Sequence, residues 1–257
     1  MGASVSGPVI ELRGIHHALG GLPVVQGVSF TIAPGELVAL VGPSGCGKST
    51  LLSILAGLIH PDRGEVRLDG VPAPERLGRL ALMPQGDALL PWCTVRENVA
   101  LGARLAGSPG ADARADADTL LTRLGLAGFE EHYPHALSGG MRQRAALART
   151  VLARADAWLL DEPLGALDAL TRSDLQGVLA TTWAQERPTT LLVTHDLDEA
   201  LLLADRVLVS GPGPARIVAA VPVDLPRPRT LDDTLTPAFA ALRGRLMHSL
   251  RGAGALT

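Results

Sequence analysis

Cysteine is nearly absent: Cys46 and Cys93 are the only two, too few for a disulfide framework or a cysteine-built zinc site. The expected setting is a reducing compartment. Aromatic residues make up 3% of the chain, so aliphatic side chains must fill any core; 47% hydrophobic and 19% charged residues are the proportions of a packed globule, not of a disordered chain. No charge-free apolar run approaches the roughly 20 residues of a membrane-spanning helix, and the start MGASVSGPVIELRG lacks the cationic and apolar regions of a signal peptide. Neither export nor membrane crossing is expected. A net charge of -3 supplies no cationic field to draw the chain onto phosphate backbones, so nucleic acid is not an expected partner. Gly2 and Ser6 fit the loose myristoylation pattern, but so short a pattern recurs by chance and a frayed terminus is the expectation. No internal repeat is visible.

A length of 257 residues suits one large α/β domain with a small inserted subdomain. Alternation in Val9 to Leu12 and Val28 to Ile32 around Gly20-Gly21 predicts an N-terminal antiparallel β region. Leu37 to Val41 is a short continuous apolar run, suited to a strand buried on both faces, and Leu51 to Leu58 follows at helical spacing. Further strands are expected at Glu65 to Leu68, Leu80 to Met83, Trp158 to Leu160 and Thr189 to Thr194. Arg206 to Ser210 with Arg216 to Val223 reads as a hairpin. Between about 86 and 155 the strand signals vanish, and Thr94 with Glu97 forms a capping box, which predicts a helical insert. Within it Gly107 to Asp118, rich in Ala, Gly and Asp, is expected to be an exposed connection ahead of a helix at Leu120, Leu121 and Leu124. A last helix carries Phe239, Leu242, Leu246 and Leu250 on one face, with Thr236 as its cap and Pro237 first inside it. Arg243, Arg245 and Arg251 on this helix also allow contact with acidic lipid, a weaker reading with Asp232 and Asp233 close by.

The chemistry starts at Gly42-Pro43-Ser44-Gly45-Cys46-Gly47-Lys48-Ser49, which matches G-x-x-x-x-G-K-[ST] between an expected strand and helix. Glycines let backbone amides turn toward phosphate oxygens, the helix N-terminus adds partial positive charge and Lys48 a full one. Ser49 is placed to hold Mg²⁺ through its hydroxyl, and Thr50 to help at the α-phosphate. A phosphate loop alone leaves kinases, GTPases and helicases open.

Further motifs narrow the choice. Leu137-Ser138-Gly139-Gly140-Met141, ahead of a basic helix, resembles the signature motif of ABC ATPases. Trp158-Leu159-Leu160-Asp161-Glu162-Pro163 resembles their Walker B strand with the catalytic acid, and Gly165-Ala166-Leu167-Asp168 their D-loop. Gln85 stands at the Q-loop position and His195, after Leu191-Leu192-Val193-Thr194, at the switch-histidine position. Singly, Gln85 reads as a surface amide, Asp161-Glu162 as a solvated strand end and His195 as a helix cap. Their joint occurrence, in the family's order from Val9 to the last helix, carries the resemblance.

The resemblance implies a P-loop α/β ABC-ATPase fold with a core at 1-85 and 156-223, a helical subdomain at 86-155 and a C-terminal helix within 224-257. It implies an ATPase working as a homodimer, with ATP and Mg²⁺ between the P-loop of one subunit and the signature motif of the other. Lys48 then binds phosphate, Asp161 holds Mg²⁺ through water, Glu162 orients or deprotonates the attacking water, and His195 bonds the γ-phosphate. Gln85 touches metal and water, while Asp168 links the two sites.

The sequence departs from the pattern at Leu19, where the family usually carries an adenine-stacking aromatic, so weaker base discrimination is expected, with His16 or His17 as candidate compensation. Met141 replaces the commonest final signature residue. Cys46 at a helix start is read as a passive small residue, and His132 with His135, lacking a third ligand, as surface loop.

A nucleotide-binding domain without a fused span resembles importer design, with transmembrane permease subunits as separate chains and a solute-binding protein as an indirect partner. The segment from Leu89 to Trp92 followed by Thr94 to Val99 resembles the nitrate, sulfonate and taurine importer branch, and Thr171-Arg172 fits it. The implied solute is an organosulfonate such as taurine or a nitrate-like anion, with a thiamine-precursor pyrimidine as the alternative. The implied location is peripheral, on the cytoplasmic face of the cell membrane. Rival readings are a soluble ABC ATPase of DNA repair or translation, which predicts tandem domains or a basic face; a regulatory ATP binder, against which Glu162 and His195 argue; and an exporter-type motor.

Overall fold

The computed structural model describes residues 7–165 and 167–254. The Gly2 and Ser6 pattern and Ala166 of the GALD segment lie outside the described residues.

Two sheets share the scaffold. Strands β1 (Ile10–Leu19) and β2 (Leu22–Ile32) pair antiparallel across Gly20 and Gly21, which both have positive φ, and β4 (Arg63–Leu68) pairs with β1 on its other edge. The two-residue β5 (Val71–Pro72) completes the order β2-β1-β4-β5. The second sheet is six-stranded, β10-β9-β3-β8-β7-β6. Its members are β3 (Leu37–Val41), β6 (Leu80–Met83), β7 (Ala157–Asp161), β8 (Thr189–Thr194), β9 (Arg206–Ser210) and β10 (Ile217–Pro222). All pairings are parallel except β10 with β9.

The apolar run of β3 is buried along its whole length because the sheet is covered on both sides. Leu37, Ala39 and Val41 pack into one core with Leu160, Leu192 and the helical insert. Val38 and Leu40 pack into a second with Ile10, Leu12 and Leu51. Adjacent strand residues point to opposite faces, so a single strand feeds both cores.

The helices follow from their ends. α1 (Lys48–Ala56) begins after Gly47 and stops at Gly57, both left-handed, and Leu58 N–H closes the end on the Ser53 carbonyl. α2 (Val95–Leu105) has both halves of the Thr94–Glu97 capping box. α3 runs Gly110–Arg123, and here the sequence expectation fails: most of the segment from Gly107 to Asp118 is helix. Alanine has the highest helix propensity, and Ala113 and Ala117 lie buried one turn apart, in line with Leu120 and Leu121, so small residues let α3 pack closely.

α4 (Gly139–Leu152) is capped by Ser138, α5 (Ala169–Glu186) by Asp168 and α6 (Leu197–Leu203) by Asp196. α7 (Pro237–Gly252) starts at the Thr236 cap and buries Phe239, Leu242, Leu246 and Leu250, the face expected from sequence. No helix of the described residues is long and apolar enough to cross a membrane.

Candidate active site

The loop joining β3 to α1 wraps the Lys48 side chain. Its ammonium donates to the carbonyls of Gly42 at 2.8 Å and Pro43 at 2.7 Å, and the residue is 5% exposed. Gly45 and Gly47 have φ of +75° and +109°. A side chain at Gly47 would meet the Val24 carbonyl oxygen at 2.3 Å, so glycine is required there. Cys46 is buried behind the loop with its thiol 3.6 Å from the Ser210 hydroxyl.

A cleft of about 610 Å³ opens over the loop, lined by Leu19, Val24, Ser44, Gly45, Gly47, Lys48, Ser49, Thr50, Gln85, Glu162 and His195. Parallel pairing makes these neighbours of residues far apart in sequence. β7 and β8 lie side by side, so the segments after Asp161 and Thr194 leave the same edge of the sheet. Gln85 Nε2 donates to Glu162 Oε2 at 3.1 Å, and His195 Nδ1 lies 3.4 Å from Glu162 Oε1.

Glu162 has a φ of +47°, a left-handed conformation rare for a side-chain-bearing residue, and its N–H donates to the Val193 carbonyl at 2.8 Å. Such backbone strain collects at functional sites because it aims a side chain where relaxed geometry would not.

Asp161, 6% exposed, lies beneath the cleft beside the Ser49 hydroxyl. Burial pushes its carboxyl above the usual range, with Glu162 adding to the rise and Ser49 and Lys48 opposing it. Its Oδ1 is buried without a donor. An orphaned carboxylate oxygen beside the Ser49 hydroxyl, under a cleft that Gln85 also lines, offers hard-oxygen donors, and these residues fit a hydrated Mg²⁺.

Leu19 is half exposed at the rim; His17 turns away to lie 3.4 Å from Asp62. The second group of expected residues does not join the cleft. Leu137, Ser138, Gly139, Gly140 and Met141 form the cap and first turn of α4, where Ser138 Oγ accepts the Met141 N–H at 3.3 Å and no acidic side chain occupies the first turn. That turn carries no carboxylate of its own, and Ser138 and Gly139 are exposed. Asp168 accepts the Thr171 N–H at 3.1 Å as the cap of α5.

Several supporting residues carried no sequence signal that singled them out. Arg142 donates to Asp87 at 2.9 Å and to the Leu137 carbonyl at 2.7 Å, and Arg149 donates to the carbonyls of Ala88 and Asp87, so α4 holds the loop that bears Gln85. Asn98, fully buried, accepts the Leu90 N–H at 2.7 Å and donates to the carbonyls of Leu90, Cys93 and Thr94, fastening the following loop to α2. Among the described residues no cluster of His, Cys, Asp and Glu is arranged to hold a metal ion by itself, and His132 and His135 stand exposed.

Comparison with known proteins agrees with the geometry. Residues 25–165 match the family model described as ABC transporter. A taurine import ATP-binding protein of Chromobacterium violaceum is 44% identical over 230 residues, covering 88% of each chain. An aliphatic sulfonates import ATP-binding protein of Burkholderia cenocepacia is 42% identical over 251 residues, 97% of this chain and 90% of that one. Among solved structures, a dimeric ATP-binding cassette in a post-hydrolysis state with ADP and phosphate superposes with a TM-score of 0.74 at 27% identity, covering 84% of this chain and 99% of that one.

Proposed function

Since this chain belongs to the ABC transporter family, as an ATP-hydrolysing subunit, we propose that it drives an importer for a small sulfonate such as taurine, or a nitrate-like anion. The single observation that carries the mechanism is the convergence of Gln85, Glu162 and His195 over the phosphate loop.

In this reading the amides of Gly45 to Ser49 and the Lys48 ammonium bind the phosphates, Lys48 exchanging loop carbonyls for phosphate oxygens. Ser49, Gln85 and Asp161 would hold Mg²⁺, Asp161 through water, and charge neutralisation at the phosphate oxygens is the chemistry it would supply. Glu162 takes up or orients the attacking water, and Gln85 and His195 fix its carboxylate from two sides. His195 donates to the γ-phosphate. Leu19 offers the base an apolar contact without stacking.

The cleft is half a site. The exposed first turn of α4 supplies the other half to a partner's nucleotide in a homodimer, with Asp168 at the seam, and the ATP-binding cassette similar to this chain was solved as a dimer. The permease subunits dock beside the Gln85 loop, where a groove of about 620 Å³ includes Leu90, Cys93, Ala100 and Leu101 and where Trp92 is 72% exposed. In this reading the chain sits peripherally at the cytoplasmic face of the membrane, and the solute-binding protein acts on it only through the permease.

The test is a pull-down of the tagged chain from its own membranes, with ATPase activity assayed alone and with solute-loaded receptors. Recovery of a permease and stimulation by a taurine- or sulfonate-loaded receptor are expected, and stimulation by a pyrimidine-loaded receptor would move the solute. A soluble nucleic-acid or ribosomal complex without a permease would overturn the importer reading. Glu162→Gln should retain ATP binding and lose hydrolysis by a factor of about 10² or more.

A further inference from the structure

We propose that the first turn of α5 is a junction joining the hydrolytic switch of one site to the segments the same chain offers to its partner's site, with Arg172 as the positioning residue. The inference rests on the two-subunit reading above and deepens it.

Arg172 faces two functional turns with one guanidinium. Its Nη2 donates to the Leu167 carbonyl at 3.0 Å, and its Nη1 reaches Asp196 Oδ2 at 3.5 Å. Its Nε is buried without a partner, so these two acceptors orient the group. Asp196 follows His195 directly, and its other oxygen caps α6 by accepting the Asp198 and Glu199 N–H groups at 2.9 and 3.1 Å. A shift of the guanidinium therefore acts on the turn that carries His195.

The neighbouring residue closes the third side. A Cβ placed on Gly140 would lie 2.3 Å from Thr171 Cγ2, so the signature turn of α4 rests directly on the first turn of α5. Leu167 lies beside Gly139, its Cδ2 3.9 Å from where a Cβ would stand. Asp168, Thr171 and Arg172 thus gather the turn after β7, the α4 N-terminus and the switch turn within one helical turn. Packed elements move as units rather than deforming smoothly, so pressure on Gly139 or Asp168 reaches His195 through Arg172. Arg172 does not line the cleft and touches no reacting atom.

The test uses the full chain with its permease and compares wild type, Arg172→Ala, Arg172→Lys, Asp196→Asn and the Arg172→Ala, Asp196→Asn double variant. Asp196→Asn keeps an oxygen to cap α6 and loses only the charge. Each single change is expected to lower kcat about tenfold and to bring the Hill coefficient for ATP toward one, with KM within about twofold. The double variant should be no slower than the slower single, because both remove one link. Lysine should recover little, since one ammonium cannot hold both acceptors.

Wild-type kcat and cooperativity in folded Arg172 variants, or losses that multiply in the double variant, would overturn the junction. Hydrogen exchange at the Asp196, Asp198 and Glu199 amides needs no nucleotide and is expected to speed up at least about fivefold in Arg172→Ala. A wild-type chain that fails to hydrolyse ATP therefore counts against the proposed function alone, and unchanged exchange counts against the junction alone. Should Arg172→Ala not fold, Arg172→Lys and Asp196→Asn decide by the same measurements.

Discussion

Glu199 lies beneath the switch turn, 2% exposed, where the Thr194 hydroxyl donates to its Oε2 at 2.5 Å and its Oε1 is buried with no partner. Desolvation pushes its carboxyl from an ordinary 4.5 up to about 7, against the opposing Thr194 hydrogen bond. The folded state holds this proton more tightly than the unfolded one. The associated stability is therefore full below about pH 4.5 and is lost as pH rises through about 7. Between pH 5 and 8 the loss works out at about 2 to 3 kcal/mol.

Glu199→Gln removes the titration. Its stability relative to wild type should improve by that amount across the range, whatever constant offset the new amide introduces. For a chain of this size the gap in Tm should move by roughly 5 to 10 °C. Urea unfolding of both proteins at pH 5, 6, 7 and 8 measures it, and parallel pH profiles, with a gap constant to within about 0.5 kcal/mol, would refute the claim that burial keeps this carboxyl protonated.

Gly102→Ala would set a Cβ 2.2 Å from the Arg149 carbonyl oxygen and 2.9 Å from the Ala153 nitrogen, both backbone, forcing α2 and α4 apart. A loss of about 1 to 3 kcal/mol in denaturant unfolding is expected. Leu19→Tyr should tighten ATP binding roughly fivefold or more by adding base stacking, and an unchanged Kd in calorimetry would remove Leu19 from the base site. Asp161→Asn relieves a charge that burial already disfavours, so Tm should hold or rise while the Mg²⁺ needed for half-maximal ATPase activity increases by about 10- to 100-fold. Titrating Mg²⁺ back after EDTA treatment measures that shift.

Much of this was legible in the chain because it is local. Leu37 to Val41 reads as a doubly buried strand, the Gly42 to Ser49 spacing reads as a phosphate loop, and Thr94 with Glu97 marks a helix start, each from residues within one element. The segment from Gly107 to Asp118 misled because its Asp and Gly content suggests a loop while its alanines make a helix once Ala113 and Ala117 find a surface to cover. That surface is tertiary. The left-handed backbone of Glu162, the raised carboxyl of Glu199 and the pairing of Arg172 with Asp196 have no signature in composition or spacing. By itself the sequence determined most element types, the alanine-rich α3 excepted, and the phosphate-loop spacing, which depend on neighbours along the chain. Only the fold decided which carboxylate is buried, which is aimed into the cleft and which arginine ties two turns together, since parallel strands bring residues tens of positions apart to one edge and burial sets their charge.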